Sequence, residues 1–108
     1  MALNITSELV TLDGIALSTS YGRIEVRDSV SGDNLICALA VYASKPAFEA
    51  GRGALVVEDP AIDVLAPLKT YWVMPYSRET DGTDILVLAH DYIQGELSNL
   101  GVQSTIVL

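Results

Sequence analysis

One cysteine, one histidine, one tryptophan and one phenylalanine stand in a chain of 108 residues that carries fourteen acidic and only six basic side chains. Each scarcity removes a class of function. Cys37 has no partner for an internal disulfide and lies within an apolar run, where a thiol is buried and inert rather than a nucleophile. With His90 as the single imidazole and no cysteine pair, the usual zinc ligand sets cannot be assembled. The six bases, Arg23, Arg27, Lys45, Arg52, Lys69 and Arg78, form no cluster against a net charge of −8. A chain with a pI near 4.2 repels phosphate backbones, so nucleic acid and anionic membranes are poor partners. No apolar run approaches the roughly 18 residues of a membrane span. The start, MALNITSELV, lacks a basic segment followed by an apolar one, and no signal peptide is expected.

What is abundant is apolar surface. Half of the residues are hydrophobic and mean hydropathy is +0.37, the composition of a folded domain with a real core. The pattern predicts one domain over 1–108. Residues 5–17, ITSELVTLDGIAL, are two short apolar stretches around the turn dipeptide Asp13-Gly14, which reads as a strand or hairpin. YGRIEVRDSV then alternates, with Tyr21, Arg23, Glu25 and Arg27 on one side and Gly22, Ile24 and Val26 on the other. After the turn residues 31–34 comes LICALAVYAS, apolar on both faces and therefore a central strand. Together these two predict an antiparallel pair. ALVVE (54–58) predicts a further strand, stopped by Asp59-Pro60. PAIDVLAPLK reads as a loop wrapped over apolar surface, and TYWVMPYSR as an edge or bulged strand because of Pro75.

One amphipathic helix is predicted near the C-terminus. Ile85, Leu88, Ala89, Tyr92, Ile93, Leu97 and Leu100 recur at spacings of three and four. Asp81 or Thr83 can cap its start, Asp84 suits the dipole, Gly95 weakens it, and Gly101 fits a left-handed stop. VQSTIVL alternates and returns as a last strand. The fold class is α+β, a mostly antiparallel sheet of about five to six strands with one C-terminal helix. Trp72, Met74 and Tyr76 share one face of the edge strand and are expected as partner contacts. The other reading of that face, as core, stays open.

Motifs for catalysis are absent. There is no GxSxG elbow and no phosphate loop, since GRG at 51–53 has neither the lysine nor the spacing. Asp28, Asp33 and Asn34 around Gly32 lack a calcium ligand series and read as a solvated turn. His90 reads as a surface or rim histidine. The expectation is a chain with no catalytic residues, no cofactor and no metal. In VYASKPAFEAG (41–51), Pro46 fits the opening of a short helix, Phe48 folds back as a plug under the turn, and Gly51 releases the chain. Ser44 lacks a histidine partner and reads as a turn hydroxyl bonded to backbone.

That corner also carries a resemblance. Tyr21, Arg23, Ile24 and Val26, then Val41, Tyr42, Ala43, Ser44, Ala47, Phe48 and Gly51, resemble a family of small structural proteins of tailed bacteriophages. The order of TYWVMPYSRETDGTDILVLAHDYIQGEL (strand, polar turn, helix) is similar too. Pro46 and the 59–69 insert depart from the family's pattern. The resemblance implies a non-enzymatic component of the virion, assembled in the host cytoplasm. Its implied place is the tail, as a baseplate or fibre-attachment subunit, with a capsid decoration protein as the alternative. Its implied partners are other virion proteins and copies of itself. A free cytoplasmic protein-binding module is the competing class.

Overall fold

A computed structural model describes residues 1–28, 33–62, 64–76 and 84–107. Strands β1 (Ala2–Ile5), β4 (Ser20–Asp28), β5 (Asn34–Tyr42), β6 (Tyr71–Pro75) and β7 (Ser104–Val107) form one antiparallel sheet in the order β6-β5-β4-β1-β7. β2 (Leu9–Val10) and β3 (Ala16–Leu17) make a small separate ribbon. Two helices are described, the short α1 (Lys45–Glu49) and the long α2 (Ile85–Asn99). The fold is α+β, with α2 connecting one edge strand, β6, to the other, β7.

The β4–β5 pair sets the frame. Its register runs from Tyr21↔Tyr42 to Asp28↔Leu35, so each strand's alternation is locked to the other's. One face collects Gly22, Ile24 and Val26 with Leu35, Cys37, Leu39 and Val41, and continues through Leu3 and Ile5 to Trp72 and Met74. Ala89, Ile93 and Leu97 of α2 close over it, and these side chains form the core. The opposite face carries Arg23, Glu25 and Arg27, the alternate residues of β5, and Tyr71 and Val73.

The predicted edge strand is β6, and its ladder explains Pro75. Leu39 N–H donates to Thr70 O at 2.8 Å and Tyr76 N–H to Asp33 O at 3.0 Å. With the intervening register this turns the backbone groups of Trp72 and Met74 towards β5, and those of Tyr71, Val73 and Pro75 towards the free edge. Proline has no N–H to lose on that side.

α2 is capped at both ends. Asp84 accepts a side-chain hydrogen bond from Val87 N–H at 3.4 Å; Asp81 and Thr83, the expected caps, lie outside the described residues. At the other end Gly101 takes φ +83°, Gly101 N–H bonds Ser98 O and Val102 N–H bonds Leu97 O. These two hydrogen bonds, with Leu97 and Val102 both buried, make a Schellman motif at the left-handed stop that the sequence predicts.

Two expectations are corrected. ALVVE forms no strand; Leu55 bridges Val41, Val57 bridges Thr11, and Glu58 bridges Pro67. Its successive residues serve different neighbours, so no ladder extends. The following segment does not wrap over apolar surface either. Leu68 is buried, but Ile62, Val64 and Leu65 are exposed.

Two glycines, Gly95 within α2 and Gly101 just past its end, should respond oppositely to alanine. Nothing lies within 4 Å of a Cβ built at Gly95, so Gly95→Ala should stabilise by about 1 kcal/mol through helix propensity. Gly101→Ala forces a side chain into positive φ and should destabilise by about 1–2 kcal/mol. Denaturant melts of the two variants give both signs directly.

Candidate functional site

The residues singled out for chemistry do not converge. Cys37 is fully buried on β5, and burial pushes its thiol above the ordinary value, away from the reactive thiolate. Tyr92 is also raised, first by burial and then by the Glu96 carboxylate one turn along α2. His90 corrects the rim expectation, being 1% exposed on α2's inner side. Its Nδ1 lies 2.6 Å from Leu86 O, which makes Nδ1 the protonated nitrogen and donor. Its Nε2 is buried without a hydrogen-bond partner, as are the hydroxyls of Ser20 and Ser104. Among the described residues no three His, Cys, Asp or Glu side chains gather as a metal site would require. Residues 29–32 of the turn read between Asp28 and Asn34 lie outside the described residues. No described helix is long and apolar enough to cross a membrane.

Trp72, Met74 and Tyr76, expected as partner contacts, point inward. They are 3%, 6% and 6% exposed and pack in the core beneath α2. The reason is register: Trp72 pairs with Cys37 and Met74 with Leu35, both on the helix-covered face. The exposed side of the same strand is Tyr71 and Val73, at 50% and 47%. Sequence reasoning missed them because both sides of β6 are apolar, and alternation cannot say which side a helix covers.

Tyr71 and Val73 belong to a larger uncovered surface. Ile36, Ala38 and Ala40 of β5 lie beside them, only partly buried, on the face opposite α2. Two of the grooves on this face lie along β5. One, about 210 Å³, is lined by Glu25, Arg27, Ile36, Ala38 and Tyr71. The other, about 230 Å³, runs between Arg23, Ala38, Ala40, Tyr42 and Phe48. Arg27 and Glu25 approach to 3.9 Å with side chains 80% and 77% exposed, so their pairing is weak and both remain available.

The 41–51 corner covers only one end of this face. Ser44 caps α1 by accepting a hydrogen bond from Ala47 N–H at 3.1 Å, the backbone role expected of it. Pro46 sits in the first turn, and Gly51 leaves with φ +78°. Phe48 folds back against the strand that precedes the turn, but it is only half-buried and stays outside the core. Its ring lies over the outer face, 4.9 Å from Tyr42 and 5.8 Å from Tyr21 between centroids, with Arg23 Cζ 4.7 Å above it. Tyr21 is buried on the otherwise open face because Phe48 covers it.

A second apolar surface is the lobe formed by the β2–β3 ribbon and the 55–68 segment. Leu12 N–H donates to Val56 O and Glu58 N–H to Val10 O, which joins the two pieces. Ile15, Val56, Ile62, Val64 and Leu65 are 61%, 57%, 45%, 71% and 68% exposed. The stretches 9–17 and 54–68 contain Asp13, Glu58, Asp59 and Asp63 and no base.

Phe48→Ala removes two ring contacts and a cation–π contact from a half-buried site. It should cost about 2 kcal/mol, while Lys45→Ala stays within about 0.5 kcal/mol because its 3.9 Å pair with Glu49 is solvated. Equilibrium denaturation orders the two. His90→Ala should cost about 2–4 kcal/mol as a core truncation. His90→Leu should stay within about 1 kcal/mol, since it also removes the unpartnered Nε2 and leaves Leu86 O its helical bond. A His90→Leu variant as damaged as His90→Ala would assign the imidazole a polar role.

No family model matches this chain, and neither a curated protein nor a solved structure does.

Proposed function

We propose that the protein is a non-enzymatic structural subunit of a tailed-bacteriophage particle, held in place through the uncovered face of β4, β5 and β6. The observation that supports this reading is the apolar strip of Ile36, Ala38, Ala40, Tyr71 and Val73 on the sheet face opposite α2. A small soluble domain with this much contiguous apolar surface gains by having a neighbour cover it, since burial is worth about 25 cal/mol per Å². The resemblance of the 21–51 region to phage structural proteins supplies the kind of assembly. Tail placement, at a baseplate or fibre attachment, follows from that resemblance.

Particles purified by density gradient, washed in high salt and digested for mass spectrometry should contain the chain at a fixed ratio to the major structural proteins. Its absence from washed particles would leave a free protein-binding module of the host cytoplasm as the correct class.

A further inference from the structure

β6 is the edge at which the sheet leaves its hydrogen-bonding groups open. Thr70, Trp72, Met74 and Tyr76 direct theirs at β5, so the outward groups are the N–H of Tyr71 and Val73 and the C=O of Tyr71, Val73 and Pro75. Among the described residues no hydrogen bond reaches these groups. Edge strands are commonly guarded by a charge, a bulge or a covering group. At the other edge, β7, Gln94 Nε2 donates to Ser104 O at 2.8 Å and occupies an acceptor there. β6 has no charged side chain between Tyr71 and Pro75, and its register with β5 is unbroken. Its one guard is Pro75, at the last position, where the C=O still accepts.

We propose that β6 pairs antiparallel with β6 of a second copy, continuing the sheet across a two-fold axis at Val73. The pattern of open groups selects this occupant. Full overlap of the two strands sets Val73 opposite Val73 of the second copy, Trp72 opposite Met74 and Tyr71 opposite Pro75. Val73 N–H then donates to Val73 O of the other copy, and Tyr71 N–H to Pro75 O. The two-fold repeats both bonds, so every outward N–H of either strand is used, and Pro75 stands where an acceptor is needed. A slide that sets Val73 opposite Pro75 leaves Tyr71 N–H without a partner in β6. Only the register centred on Val73 pairs the strand along its whole length. On the outer face it sets the Tyr71 ring beside Pro75 and the two Val73 side chains against each other, covering groups that are 50% and 47% exposed in one copy. Each β6 is used once, so the assembly closes at a dimer. The contact uses the edge rather than the face, and it goes beyond the functional reading.

Sedimentation velocity should show a monomer of 11.5 kDa giving way to a species of twice that mass, and nothing larger, as concentration rises. In the dimer, hydrogen exchange of the Tyr71 and Val73 amides should slow at least about tenfold. Raising salt should strengthen association, because backbone pairing needs no ion pair while each copy carries −8. Val73→Pro removes an outward N–H that serves no bond within the chain. It should weaken dimerisation at least about tenfold with an unchanged circular dichroism spectrum. If that variant perturbs the fold, Val73→Lys and Val73→Glu carry the test at an exposed side chain. Each alone sets like charges opposite one another and should remain monomeric, whereas their equimolar mixture should dimerise.

A chain that stays monomeric to about 1 mM overturns the proposal. So does a dimer in which the Tyr71 and Val73 amides exchange as fast as in the monomer, since the contact then lies on another surface. Neither result touches the particle reading, which is measured by the presence of the chain in washed virions. A chain that dimerises through β6 and is absent from washed particles would sink that reading alone.

Discussion

The registered pairing of β4 with β5 is the constraint on which the rest of the structure depends. From Tyr21↔Tyr42 to Asp28↔Leu35 the two strands hold their side chains in fixed opposition, and a slip of one residue would exchange the two faces. Gly22, Ile24, Val26, Leu35, Cys37, Leu39 and Val41 thereby present one continuous apolar surface, to which β1 and β6 add Leu3, Ile5, Trp72 and Met74. α2 has Ala89, Ile93 and Leu97 to place against it, and its route from β6 to β7 carries it across that surface. The core is a consequence of this single packing.

The same arithmetic leaves something over. β5 is an interior strand with apolar residues on both faces, yet among the described residues a long helix lies above only one of them. α1 is five residues long and contributes Phe48, which shelters Tyr21 and Tyr42 but reaches no further across the sheet. Ile36, Ala38, Tyr71 and Val73 are what remain. In many antiparallel sheets the uncovered face is polar. Here it is polar along β4 and apolar along β5 and β6, a combination that fits an interface with an apolar middle and a charged margin.

The buried polar atoms sharpen the distinction between stability and activity. His90 has one nitrogen satisfied by Leu86 O and the other enclosed by the core without a partner, and Cys37 lies within the sheet's apolar face. Both side chains are held away from solvent. The exposed groups with reach, Arg23, Arg27, Glu25 and the acids of the lobe, are those suited to recognition by charge and shape.

Local pattern determined a good deal. The alternation in 21–28, the central character of 34–42, the three–four spacing through 85–100, the glycine stop at 101 and the edge position enforced by Pro75 all follow from backbone rules that act within a few residues. So did the Ser44 cap and the turn into α1. The sequence could not say which side of β6 would be covered, because Trp72 and Met74 on one side and Tyr71 and Val73 on the other are equally apolar. It could not bury His90, whose helical position alone lies on the flank of the apolar stripe. Nor could it keep 54–58 from forming a strand or leave Val64 and Leu65 exposed. Those outcomes were decided by the path of α2 across the sheet and by bridges between residues far apart in sequence, and such contacts exist only once the chain has closed on itself.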